Sequence, residues 1–360
     1  MMKLITRDEL TQRTDEAIAL LRKMVSVNSI SGNEKGVSNL IHEFLVNKGF
    51  SVQRCGENLI VTTSGASQGA PVLMLNSHID TVLPSEGYTR DPFDAGNDYS
   101  VVSGLGSNDA GASVVSMLEA FLFFSSAELP YRIMLLLSAQ EENSGSEGIS
   151  LALKSCPKVD AAVVGEPTRM KAAIAERGLL VIDAVAHGES GHAARDEGVN
   201  ALYVAIEDIE KLRRYRFDRK SDLMGEVRMT VTAIRGGNLH NVVPDKCSFT
   251  IDIRPTECYS NQEITTMLQR EVKSILCPRN LNNKCSLTPP GSSLIKALER
   301  AEFDTYVSPT TSDWMRLNCP AIKMGPGDSS RSHRPDEFVT RDEIMSGIDG
   351  YIRFVNNFKF

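Results

Sequence analysis

The sequence has no uninterrupted apolar run of about 18 residues, so no segment of it reads as a membrane-spanning helix. It has no Lys/Arg-rich block either, and its formal net charge is −7 at pH 7. Without a basic stripe, nucleic acid is a disfavoured partner. There is no CxxC pair. The seven cysteines (Cys55, Cys156, Cys247, Cys258, Cys277, Cys285 and Cys319) are scattered and odd in number. They read as reduced packing thiols of a cytoplasmic protein and as poor metal ligands. The opening stretch MMKLITRDELTQRTDEAIALLRKMV lacks the apolar core of a signal peptide. Its Leu, Ile and Val recur at helical spacing among charges, which predicts an amphipathic surface helix. Internal repeats and low-complexity segments are also missing.

What remains is ordinary globular material. Of 360 residues, 41% are hydrophobic and 24% charged, with 26 Gly and 15 Pro, enough for about two domains. Apolar runs at 71–77, 132–138, 161–164 and 321–324 predict buried strands, and the intervening stretches 35–48, 110–124 and 340–355 predict helices. Thr340 and Glu343 have capping-box spacing at the start of the last one. Continuous apolar strands alternating with helices imply an α/β fold, a mostly parallel sheet sandwiched by helices. The middle of the chain has another rhythm. A strand over 178–188 and a helix over 200–214 precede two strands in EVRMTVTAIRGG and KCSFTIDIRP, a helix over 261–276 and a short strand near 283–288. This βαββαβ order is ferredoxin-like. The expectation is a domain at 173–288 inserted between two parts, 1–172 and 289–360, of the first.

The stretch NSHIDTV puts His78 and Asp80 directly behind the strand at 71–77. Glu141 and Glu142 follow IMLLLSAQ, Glu166 in VVGEPT follows AAVV, and His333 lies on the loop after AIKM. Asp109 ends SGLGSND at the entrance to a helix. In a doubly wound sheet the carboxyl ends of the strands converge on one crevice. Each motif alone has a plain reading: a strand-end histidine, a solvated acidic pair, a glycine-rich turn with Asp as helix N-cap. Together, two histidines and several carboxylates without cysteine suit two divalent ions, zinc first, with cobalt or manganese able to substitute. The second carboxylate of the Glu pair leaves a general base in hand. His42, inside a predicted helix, and His187, at a strand end, read as structural; His192 and His240 are open on residue type alone.

Taken in order, NSHIDTV, SGLGSNDAGASV, SAQEENSGSEG, VVGEPT, SGHAARDEGVNA and GPGDSSRSHRPDE resemble the zinc-dependent deacylase and exopeptidase family. That family includes acetylornithine deacetylase, succinyl-diaminopimelate desuccinylase and carboxypeptidase G. The resemblance spans nearly the whole chain. It implies that His78, Asp109 and Glu166 hold one zinc and that Asp109, Glu142 and His333 hold the other. Asp80 would orient His78, and Glu141 would move a proton from the attacking water to the leaving amine. It further implies a homodimer formed through the inserted domain, with His192 reaching the partner's site, and substrate contacts from Asn241 and Arg254. Relatives often have a cis peptide after the bridging aspartate, which makes Asp109–Ala110 the bond to inspect. Two departures stand out: Gln140 where many relatives have an acidic residue, and Ala110-Gly111 after Asp109 where Met-Lys-Gly or similar commonly follows the bridging aspartate. Within the family the C-terminal motif looks most like the acetylornithine and acetyl-lysine deacetylase branch. The implied activity is deacylation of an Nα-acyl-L-ornithine-type amino acid in arginine biosynthesis. N-succinylornithine, N-acetylcitrulline, N-acetyl-lysine or a dipeptide are the alternatives; Arg331 and Arg334 near the metal loop read either as favouring an acidic acyl group or, more commonly, as exposed arginines.

Overall fold

Every residue of the strand Val72–His78 is buried, as a parallel strand covered by helices on both faces must be. In this computed structural model, which describes residues 3–360 apart from 65, 68 and 196, that strand runs parallel to Arg132–Ser138 on one side and to Ala161–Val164 on the other. Ala321–Lys323 lies parallel beyond the latter. Antiparallel strands extend both edges, Asn58–Thr62 and Gln53–Cys55 at one and Ala172–Glu176 at the other. The predicted parallel core is therefore present, and the antiparallel edges are additions that short polar-flanked runs did not announce.

Alternation along these strands divides the core in two. Leu73, Leu75, Leu135 and Val163 face the helices Arg7–Val25, Ala112–Phe124 and Arg341–Asn357. Met74, Leu136 and Val164 point the other way and pack with Ile149, Ala152, Trp314 and Leu317. Ala112–Phe124 is buried nearly all round, which fits a helix without a polar face. Arg341–Asn357 begins with the expected capping box: Thr340 accepts from the Glu343 N–H while the Glu343 carboxylate accepts from the Thr340 N–H. No helix among the described residues is long and apolar enough to cross a membrane.

The chain divides into two compact units, the second comprising Ala175–Ser286 with Val307–Thr311 and the first the remainder. The second unit is an antiparallel sheet in the order Arg228–Gly236, Lys246–Arg254, Leu180–His187 and Ile275–Pro278. One face alternates inward, with Leu180, Ile182, Phe249 and Ile251 meeting the helices Ala201–Arg214 and Asn261–Glu271. Two sequence expectations are corrected here. The helix expected to reach 276 stops at Glu271, and the closing strand is Ile275–Pro278 rather than one at 283–288. Only Ser286–Leu287 of that later stretch is a strand, and it adjoins Ala172–Glu176 instead. The cause is Asp208. Its fully buried carboxylate accepts the N–H groups of Lys273 and Ser274 and the Ser274 hydroxyl, which favours extended backbone where helical hydrogen bonding would otherwise continue.

Removing that acceptor leaves buried donors without a partner. Asp208→Ala is expected to lower stability by about 2–3 kcal/mol, with Asp208→Asn losing less. Urea denaturation followed by circular dichroism checks this; an unchanged midpoint in the alanine variant would refute it.

Candidate metal centre

His78 ends its strand paired opposite Ser138 and is buried to 2% exposure. Its Nδ1–H donates to the backbone carbonyl of Asp80 at 3.0 Å. That bond turns Nε2 toward the crevice, 3.2 Å from Asp109 Oδ1 and 3.8 Å from Glu166 Oε1. His333 Nε2 comes in from the opposite side, 3.1 Å from Glu142 Oε2 and 3.8 Å from Asp109 Oδ2. Asp109 thus presents one carboxylate oxygen to each histidine. The sequence-predicted His78, Asp109, Glu141, Glu142, Glu166 and His333 are all brought together. Their ligand atoms form three overlapping groups: His78, Asp109 and Glu166; Asp109, Glu142 and His333; and His78, Glu141 and Glu142. No cysteine joins such a group among the described residues, and all seven are free.

A layer of hydrogen bonds behind these groups fixes them. The Asp80 carboxylate accepts the N–H groups of Glu141 and Glu142, each at 3.1 Å, and the Ser31 hydroxyl. Its Oδ1 is 3.6 Å from His78 Nδ1. Asp80 therefore touches His78 through its carbonyl and the Glu pair through its carboxylate. Buried Glu34 accepts from Gln140 N–H, whose φ of 53° helps form the sharp turn into the pair. Ahead of Asp109, Gly106 has a φ of 75°, and a Cβ there would lie 2.4 Å from Thr81 Cγ2, so only glycine fits. Asp109 and Ala110 have non-helical backbone angles, and their peptide bond is cis. Glu337 accepts the N–H groups of Gly106, Asn108 and Asp109.

The electrostatics call for cations. Burial drives Glu141 far up and raises Glu142, in each case against the pull of a histidine. Burial and then Asp109 push Glu166 up to about 8. Buried Asp313, bonded to Ser138 Oγ at 2.5 Å, is pushed up to about 6. For Asp109, burial raises the pKa, but the hydrogen bond and charge of His78, with Ser332 and His333, together outweigh it and hold the group low. For His78, burial opposes protonation and is outweighed by Asp109 and Asp80, so the ring is held well above its ordinary value. The Glu142 hydrogen bond lifts His333 to about 9. Carboxylates crowded in a buried site repel one another, and positive charge is what relieves them. Mixed histidine and carboxylate donors fit two divalent ions sharing one carboxylate.

Other sequence-predicted residues lie elsewhere. His192, Asn241 and Arg254 belong to the second unit. There His192 pairs opposite Val242, and the Ala193 N–H donates to the Asn241 carbonyl. Arg254 makes a bidentate pair with Asp252. Arg331 is bound to Glu343 at 2.8 Å and covers the Phe338 ring. Arg334 is exposed. Glu34, Asp313 and Glu337 went unassigned in the sequence. Glu337 had one available signal, its place in the same HRPDE run as His333.

Comparison with known proteins accords with this geometry. Residues 174–279 match the peptidase dimerisation domain, and residues 58–163 match peptidase family M28. An acetylornithine deacetylase of Proteus mirabilis is 27% identical over 358 residues, covering 89% of this chain and 91% of its own. A peptidase M20 domain-containing protein of Schizosaccharomyces pombe is 28% identical, covering 98% of this chain and 88% of its own. The crystal structure of aminopeptidase PepT from Bacillus cereus superposes with a TM-score of 0.76 at 16% identity, over 96% of this chain and 98% of that one. With a peptidase dimerisation domain matched in its second unit, end-to-end relatives among acetylornithine deacetylases and M20 peptidases, and a buried histidine–carboxylate centre, the chain carries M20-type peptidase domains and is a metal-dependent hydrolase.

Proposed function

We propose that this protein hydrolyses the amide bond of an Nα-acyl-L-ornithine-type amino acid, releasing a carboxylate and the free amino acid for arginine synthesis in the cytoplasm. The observation that carries the reading is Asp109, whose two oxygens face two different histidines, with buried Glu141 beside the pair. The end-to-end likeness to acetylornithine deacetylases supports the substrate class. His78, Asp109 and Glu166 hold one divalent cation in this reading, and Asp109, Glu142 and His333 hold the second; zinc suits the donors best. Bound there, the two cations supply Lewis acidity and make a water more acidic.

The chain's own residues do the rest. Asp80 fixes the ring of His78 by its carbonyl and sets Glu141 and Glu142 by its carboxylate. Glu141, which the ligand sets above leave unused, takes a proton from the attacking water onto a carboxylate oxygen. It then delivers that proton to the amide nitrogen as the C–N bond breaks. Its upward-shifted pKa suits a group that must hold the proton between the two steps. His192, Asn241 and Arg254 are assigned to substrate contact by resemblance, His192 acting in the site of a partner subunit.

The test is amine release from Nα-acetyl-L-ornithine by zinc-loaded protein. Turnover is expected to fall at least about 1000-fold in Glu141→Ala while cation content stays at two per chain, consistent with loss of a general base. No turnover by the native protein with both ions bound would reject this substrate. Faster turnover of dipeptides would replace the reading with an exopeptidase.

Cation binding should also release protons. His78, His333 and Glu166 are held above their ordinary values, His333 at about 9 and Glu166 at about 8, so at pH 7 they carry protons that a cation must displace. Affinity is therefore expected to rise with pH and level off above about 9. Calorimetric heats in buffers of different ionisation enthalpy measure the release, and heats independent of the buffer would count against it.

We also propose a homodimer formed through the second unit. Among the described residues its edge strand Arg228–Gly236 is paired on one side only, and Tyr203 and Ile206 on the helix Ala201–Arg214 are 67% and 51% exposed. Pairing edge to edge would extend the sheet and cover both side chains. Ile206→Glu is expected to shift the mass in light scattering from dimer to monomer without loss of helical signal. A monomeric native protein would contradict the proposal.

A further inference from the structure

Glu337 is 2% exposed and belongs to none of the groups able to hold a cation. Its carboxylate turns back to the segment preceding Asp109. Oε1 accepts the N–H groups of Asn108 at 2.9 Å and Asp109 at 2.8 Å, and Oε2 accepts that of Gly106 at 3.1 Å. Its own carbonyl accepts the Gly104 N–H at 2.8 Å. Ser107 and Asn108 are fully buried, so bulk water is not available to replace these bonds. Neighbouring backbone N–H groups that converge on an anion make a nest for it, and here the anion, one carboxylate, is supplied from within the chain. The residue that supplies it lies just beyond His333, so one carboxylate ties the loop bearing Asp109 to the loop bearing His333.

We propose that Glu337 is the positioning residue for Asp109, and that the hold on both cations depends on it although it touches neither. This rests on the ligand sets proposed above. The reasoning is geometric. Asp109 serves two centres only while one oxygen faces His78 and the other faces His333. That orientation is set by the backbone at Asp109 itself, whose N–H is one of the three that Glu337 fixes. A second clamp holds the segment from the other side: Asn108 Oδ1 accepts the Asp328 N–H, and Asn108 Nδ2 donates to the Asp328 carbonyl. The Glu337 bonds are the ones made to the ligand's own peptide group.

Zinc and cobalt affinities of the full chain are to be measured by competition with a chromophoric chelator for the native protein, Glu337→Ala, Glu337→Gln and Asp208→Ala. Asp208→Ala, a substitution in the second unit, controls for lost stability. The native chain is expected to bind two ions, and Glu337→Ala to bind both about 10–100-fold more weakly, as supporting residues of metal ligands commonly do. Glu337→Gln should fall between, because its amide oxygen can still serve Asn108 and Asp109 while its NH2 cannot accept from Gly106. If Glu337→Ala does not fold, Glu337→Gln carries the test alone. Cobalt absorption bands displaced in Glu337→Gln but not in Asp208→Ala would further support the proposal. Native affinity in the Glu337 variants, or an equal loss in Asp208→Ala, would overturn it while leaving the ligand sets intact. A native chain that binds no ion would overturn both.

Discussion

Mutual repulsion among buried carboxylates is the constraint on which this site turns. Asp109, Glu141, Glu142 and Glu166 gather at the ends of strands where little water reaches them, and burial raises the cost of ionising each. The surrounding structure reads as a set of answers to that cost. His78 and His333 offer partial compensation, the Asp80 carboxylate anchors the Glu pair through the pair's own backbone N–H groups, and backbone N–H groups satisfy Glu337. A further share of positive charge has to come from bound cations. Donors of this mixed nitrogen and oxygen kind, crowded as they are, suit divalent ions.

Much of the first unit was legible because its signals are local. A run such as Val72-Leu73-Met74-Leu75 can only be a buried strand or a buried helix, and its length with flanking polar residues decides for the strand. The capping box at Thr340 and Glu343 is equally local. What escaped was set by contacts distant in sequence. The helix after Ser260 looked continuous to 276 because nothing nearby stops it; Asp208, on another helix, does. The edge strands Gln53–Cys55 and Ala172–Glu176 are short and antiparallel, with no alternation long enough to read.

The site shows the same division. Residues at strand ends could be gathered by one topological rule, and the structure brings six of them together. The bracing residues obey no such rule. Glu34 lies before a helix, Asp313 on a short turn, and Glu337 in a loop; any of these would pass as surface charge. Arg331 was open between substrate recognition and plain exposure, and spacing alone did not reveal its pairing with Glu343 of the following capping box.

That last contact has a mechanical consequence. Glu343 closes the first turn of the helix Arg341–Asn357 and also holds Arg331, two residues from His333. The start of that helix and the loop carrying His333 therefore share one carboxylate. The loop cannot swing away without giving up the cap, and fraying of the first turn would loosen the loop.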